Sequence, residues 1–284
     1  MAALREIKDR ISSVRSTLKI TSAMKLVASA KLRKAQQAVE AMVPYQKELS
    51  RVLEEVRAAA GKSGEVVPAP ETGKVAVVCV SSNSSLCGAF NGNVIRKALS
   101  VLGEYGGDAD VYAVGKKMAE RLRKEGYVPI GDYNYLVASP GYAEASQFAQ
   151  KLIDSYDSGV YSKVVLVYTH FVSASRQVVK VETYLPFVLD DTAGSEAKDF
   201  ESKYIMEPSA RQIAEAIMPQ VMRLKVYTVL LDSLASEHAA RTVAMQAATD
   251  NGKELLDELT LEYNKGRQGK ITSEILDLAG GQQR

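Results

Sequence analysis

The stretch from Ser209 to Leu278 constrains this chain more than any other. It holds one proline, Pro219, near its start and three glycines, Gly252, Gly266 and Gly269, near its end. Along it runs a stripe in alternating steps of four and three: Ile213, Ile217, Gln220, Leu224, Thr228, Leu231, Ala235, His238, Thr242, Met245, Thr249, Gly252, Leu256, Leu259 and Tyr263. That is the spacing of a helix lying along another helix. One continuous helix here spans roughly 105 Å at 1.5 Å per residue. A compact sphere of the whole chain has a radius of gyration of about 19 Å, hence a diameter of roughly 50 Å. Its own protein cannot enclose such a helix, so another surface must lie beside or around it. The alternative is a helical hairpin broken at the turn dipeptide Asn251-Gly252. The stripe keeps its phase through Gly252 to Leu256 and Leu259, which favours the continuous helix. The seam is thin, with Thr, Gln, His and Gly where a zipper carries Leu or Ile. Small residues allow close approach but bury less apolar surface.

Residues 3 to about 58 predict a second long helix. Ile7, Ile11, Val14, Leu18 and Thr21 keep the same step, and Ala23, Ala28, Ser29, Ala30, Ala35 and Ala38 follow. Pro44 predicts a kink or a restart, because it lacks the N–H and clashes with the preceding turn. Two long helices at opposite ends of one chain, each with a narrow seam, predict a single antiparallel pair. Between Asp9 and Glu40 there is no carboxylate, yet Arg10, Arg15, Lys19, Lys25, Lys31, Arg33 and Lys34 fall there. This is a solvated basic face, a nucleic-acid arm, or a surface docking on an acidic protein. The absence of stacking aromatics and the spread of the charges round the helix argue against nucleic acid. Glu6 and Asp9 argue against a transit segment.

The middle of the chain has a different period. Gly61 to Gly64 and Pro68-Ala69-Pro70 predict a linker. Val75 to Val80 is an apolar run of the kind that forms a strand covered on both faces. Helices are predicted at Val94–Leu102, Lys116–Lys124 and Tyr142–Tyr156, and strands at Val111–Val114 and Val164–Phe171. Arg176 to Leu185 alternates as an antiparallel neighbour across Ser173-Ala174-Ser175. The fold class is therefore α/β, with a Rossmann-like sheet domain inserted between two terminal helices that form an antiparallel coiled coil. The expected boundaries are 1–60, 74–200 and 205–284. Residues 190–203 read as a polar loop, and Ser209 as the cap of the last helix.

Little in the inserted domain suggests chemistry. The strand-to-helix turn at 81–92 lacks the G-x-G-x-x-G spacing, and Gly115-Lys116-Lys117 lacks the rest of a phosphate loop. Cys87 is a candidate nucleophile, but with no histidine nearby in sequence it reads better as a small buried thiol. His170 reads as a structural polar residue. Cys79, Cys87, His170 and His238 do not make a metal cluster, so no cofactor or metal is expected. The net charge of +2 selects no partner class. No run reaches the roughly 18 apolar residues of a membrane span, no secretory signal opens the chain, and two cysteines suit reduced thiols.

Three stretches carry a resemblance. Ser236 to Asn251 (SEHAARTVAMQAATDN), Tyr263 to Gln268 with Ile271 to Ile275, and Ile20 to Lys31 (ITSAMKLVASAK) resemble signatures of the gamma subunit of F-type ATP synthase, in its bacterial type. Leu86-Cys87-Gly88 adds to it. The resemblance implies a non-catalytic rotor shaft that couples proton-driven rotation of a membrane ring to ATP synthesis or hydrolysis. It implies alpha and beta subunits around the shaft, and an epsilon subunit and a membrane rotor ring at the foot. Beta-subunit contacts then fall on Met24, Lys25, Arg241, Arg267, Gln268, Thr272 and Glu274, and rotor-ring contacts on Tyr204, Met206 and Glu207. The implied place is peripheral, on the cytoplasmic side of the inner membrane. Asn83-Ser84-Ser85 departs from the family's frequent Asp-Arg-Gly, and His238 from a frequent Gln. A coiled-coil adaptor is the other reading of the helix pair.

Overall fold

The computed structural model describes residues 2–59, 73–106, 109–187 and 206–281. The predicted linker at 61–70 and the polar loop at 190–203 lie outside them. Among the described residues, four strands and six helices follow in the order α1 (Ala2–Ala59), β1 (Lys74–Val80), α2 (Phe90–Tyr105), β2 (Ala109–Val114), α3 (Lys116–Lys124), α4 (Tyr135–Ala138), α5 (Tyr142–Asp157), β3 (Tyr161–Phe171), β4 (Gln177–Leu185) and α6 (Ala210–Gly281). The short α4 has no counterpart in the sequence reading, since four residues are too few to show a helical period.

The chain divides into two compact units, one of Met1–Ser29 with Arg241–Arg284, the other of Ala30–Ala240. In the larger unit the sheet order is β2-β1-β3-β4. β1 pairs in parallel with β2 and β3, and β3 pairs antiparallel with β4. The alternation of a strand sends Ala76, Val78 and Val80 to one face, where α5, part of α6 and Leu53 of α1 pack. Val77 and Cys79 go to the other face, against α2 and α3. The pairing of β1 with β3 ends at Cys79 opposite Val167, while β3 continues to Phe171. The last three residues of β3, Thr169 to Phe171, therefore overhang β1.

The helices differ from the sequence reading in two places. α1 continues as one helix through Pro44, so the chain does not restart there. One proline removes one hydrogen bond, and the buried Leu53 and Val56 downstream hold the helix on the far side. In α6, Gln220 of the stripe is exposed, whereas Val221, Met222, Val226, Val229 and Leu230, none of them on the stripe, are core residues. Here the helix is buried nearly all round, because the sheet covers the flank that the heptad pattern leaves blank. Ser209 caps α6 as expected, its Oγ accepting from the Gln212 N–H at 3.3 Å. α6 passes through Asn251-Gly252 without a break.

Candidate functional site

In the smaller unit α1 and α6 pack along the predicted seam. Ile11 and Thr21 of α1 are buried, as are Met245, Thr249 and Leu259 of α6. Thr249 Oγ1 donates to Thr21 Oγ1 at 3.0 Å. A methyl group added at Gly252 would lie 2.7 Å from Leu18 Cδ2, and one at Gly266 would lie 3.0 Å from Leu4 Cδ2. As the numbers rise along α6 they fall along α1, so the pair is antiparallel in a single register. At these two glycines the side chains of Leu18 and Leu4 lie against the α6 backbone.

The residues expected to meet a partner occupy two stations on this pair. Met24 and Lys25 are half-buried, a turn beyond Thr21. Lys25 is near enough to help hold the Asp250 carboxyl below the usual range, after the hydrogen bond from Gln246 and the charge of Lys253. Arg241 is only 8% exposed. Arg267, Gln268, Thr272 and Glu274 are all exposed and begin roughly 30 Å from Thr249 along α6 at 1.5 Å per residue. Thr272 Oγ1 donates to the Gln268 carbonyl at 3.0 Å, and Lys270 Nζ approaches Glu274 at 3.4 Å. Around the first station lie Ile20, Leu26, Val27 and Val243, apolar residues that are 49–70% exposed. In the larger unit Met206 is half-buried and Glu207 exposed; Tyr204 lies outside the described residues.

At Gly115-Lys116-Lys117, the second turn weighed as a phosphate loop, the backbone donors are already taken. The first turn of α3 presents its N–H groups toward the end of β1. The Lys116 N–H donates to Asn83 Oδ1 at 3.0 Å, the Lys117 N–H to the Ser82 carbonyl at 3.1 Å, and the Met118 N–H to Ser81 Oγ at 2.9 Å. Gly115 makes this possible: its φ is 113°, and a methyl group there would lie 2.8 Å from Ser81 Oγ. Cys87 is buried, and its Sγ accepts from Asn91 Nδ2 at 3.2 Å. Burial pushes the Cys79 thiol up to about 12, so it stays protonated and unreactive near neutrality. The described residues hold no cluster of metal-ligating side chains and no helix long and apolar enough to cross a membrane.

Sequence reasoning did not single out Asp232, and it named Ser236 only as the first residue of the Ser236–Asn251 stretch, with no role. The Asp232 carboxylate accepts from His170 Nδ1 at 2.6 Å and from the Phe171 N–H at 2.8 Å. Ser236 Oγ donates to the Thr169 carbonyl at 3.1 Å. Nothing in the sequence marks these pairs, because they depend on how far β3 outruns β1.

Comparison with known proteins follows the same architecture. The family model described as ATP synthase matches residues 3–283. An ATP synthase gamma chain of Phocaeicola vulgatus is 46% identical over 286 residues, covering 99% of both chains. One of Bacteroides fragilis is 48% identical over 288 residues, again covering 99% of each. A chain of the Euglena gracilis mitochondrial ATP synthase rotor is 19% identical, with a TM-score of 0.62 over 95% of this chain and 99% of that one. A chain of the Tetrahymena thermophila central stalk and c-ring is 23% identical, with a TM-score of 0.59 over 81% of this chain and 99% of that one. With matches that run almost end to end and the antiparallel helix pair they imply in place, the chain belongs to the ATP synthase gamma chain family.

Proposed function

We propose that this chain is the central rotor shaft of an F-type ATP synthase, turning inside a ring of alpha and beta subunits and carrying no catalytic site of its own. The observation that carries the reading is the α1–α6 pair of the smaller unit. Its thin seam, keyed by Thr21–Thr249 and by glycine contacts to Leu18 and Leu4, suits a slender rod with two unlike faces. A shaft biases identical partners only through contact energies that differ with its angle, and two unlike helices supply that difference. Exposed Leu26, Ile20 and Val27 offer non-directional apolar contact, which suits a surface that slides past successive partners. Arg267 and Gln268 offer a guanidinium fork and an amide suited to carboxylates and carbonyls of a beta subunit. Met24, Lys25, Arg241, Thr272 and Glu274 complete that set of contacts. The occupied N-terminus of α3 supports a domain that binds no nucleotide.

In this reading the α/β domain and the segment holding Tyr204, Met206 and Glu207 form a foot. It meets the epsilon subunit and the membrane ring on the cytoplasmic side, with membrane association only through those partners. The test is expression of the whole complex with and without this chain, purification in mild detergent and reconstitution into sealed vesicles. The rotor reading expects one assembly, containing this chain with the alpha and beta subunits, that couples ATP hydrolysis to proton pumping, and loses that coupling when this chain is omitted. A chain that purifies with neither subunit would leave the adaptor reading in its place.

A further inference from the structure

The overhang of β3 creates a physical problem, and α6 solves it. Backbone groups of alternate strand residues point to opposite edges. The Val172 N–H donates to the Arg176 carbonyl across the turn to β4, so residues 170 and 172 face β4. Thr169 and Phe171 then face the other edge, where β1 has already ended at Val80. A buried carbonyl or N–H left there without a partner is costly. Asp232 and Ser236, one turn apart on α6, take the place of the missing strand. One accepts from the Phe171 N–H, and the other donates to the Thr169 carbonyl. The second oxygen of Asp232 holds His170 Nδ1.

We propose that Asp232 and Ser236 are torque-bearing positioning residues, which key α6 to the overhang of β3 so that the helix cannot turn about its own axis against the sheet. The proposal rests on the rotor reading, in which twist passes between the α/β domain and α6. Apolar burial of Val221, Met222, Val226, Val229 and Leu230 resists separation of helix and sheet but has no preferred direction. Hydrogen bonds have one. Two other polar ties reach α6 from β4: Tyr184 Oη donates to the Met222 carbonyl at 3.0 Å, and Lys225 Nζ meets Glu182 at 2.6 Å. The Lys225 and Glu182 side chains are 25% and 36% exposed, so water competes for that pair. Asp232 is 9% exposed and Ser236 fully buried, and their partners are backbone atoms of the strand itself. The Ser236 bond to the Thr169 carbonyl is buried and the Asp232 bond to the Phe171 N–H is half-buried, so twisting α6 must break the Ser236 bond with no water at hand to replace it.

The experiment uses the assembled complex in sealed vesicles, comparing wild type with Asp232→Ala/Ser236→Ala and with Ser236→Ala alone. Protons pumped per ATP are measured while an opposing proton gradient is raised. The clamp predicts near-normal coupling without load and, near stalling load, a fall of at least about twofold, the low end of the changes produced by altering a transmitting residue. Ser236→Ala should show the same load dependence in weaker form, and it keeps the test open if the double variant fails to assemble. In parallel, Asp232→Ala should speed hydrogen exchange at the Phe171 amide about tenfold, equivalent to about 1.4 kcal/mol, without speeding it across the sheet. Coupling that is unchanged at every load, or reduced equally with and without load, would overturn the clamp. A wild-type assembly that pumps no protons would instead contradict the rotor reading, and the proposal with it.

Discussion

Thr249 and Thr21 face each other across the helix pair, their hydroxyl oxygens 3.0 Å apart. Thr249 also has the Met245 carbonyl within reach at 2.8 Å, and Thr21 has the Leu18 carbonyl at 3.2 Å. The pair is thus a polar lock in a seam otherwise made of apolar and small residues. Thr249→Val should destabilise the chain by about 1 kcal/mol, the net worth of one buried hydrogen bond. Thr21→Val/Thr249→Val should cost less than the sum of the single changes, because both lose the same bond. Denaturant melts of the four proteins give the coupling, expected at about 0.5–1 kcal/mol. Strict additivity would mean that the hydroxyls are satisfied by their own helices alone.

Gly252 is where Leu18 comes closest, at 2.7 Å from a methyl group that is not there. Gly252→Val should lower stability by roughly 1–3 kcal/mol through overpacking. Adding Leu18→Ala should recover part of the loss by making room. The thermal midpoints of the two variants decide the matter; a valine that is tolerated without the second change would show that the helices are not in close contact at that level.

At Gly115 the added methyl group meets backbone and side-chain atoms of Ser81, and the φ of 113° is one that other residues rarely adopt. Gly115→Ala should therefore destabilise the larger unit by about 1–3 kcal/mol. It should also loosen the first turn of α3, where Ser81, Ser82 and Asn83 hold three N–H groups. Faster hydrogen exchange at Lys116, Lys117 and Met118 is the expected result, and unchanged exchange there would contradict this account of the cap.

Gln268 and Arg267 are exposed on the free chain, so Gln268→Leu and Arg267→Ala should leave its melting curve within about 0.5 kcal/mol of wild type. In the assembled complex the same changes should slow ATP turnover and weaken assembly, since partly desolvated bonds to charged groups are worth about 1.5–3 kcal/mol each. Measuring both on one set of variants separates a partner contact from a solvated surface. Normal turnover would return these residues to the solvent.

Much of this fold is legible along the chain because its elements have clean periods. The seam from Leu224 to Leu259 and the run from Val75 to Val80 need only steps of 3.5 and 2 to be recognised. The termini of α3 follow from Gly115 on one side and the basic last turn on the other. The burial of α6 beyond its seam is different. Val221, Met222, Val226, Val229 and Leu230 read as ordinary helix residues until the sheet is laid against them. The pairing of Asp232 and Ser236 with β3 is not legible for a related reason, although Ser236 opens one of the stretches that carry the resemblance: their task is set by where β1 stops, and strand ends carry no period. Met24 and Gln268 are proposed as contact residues on family resemblance alone, since side chains on a lone helix pair carry no mark of the surface they would meet.

The most direct test fixes the alpha/beta ring of the assembled complex to a surface and attaches a bead to this chain through a tag on the α/β domain. With ATP supplied, the account predicts stepwise rotation of the bead in one direction, stopping when ATP is withdrawn. A bead that stays still while the same assembly hydrolyses ATP would contradict it.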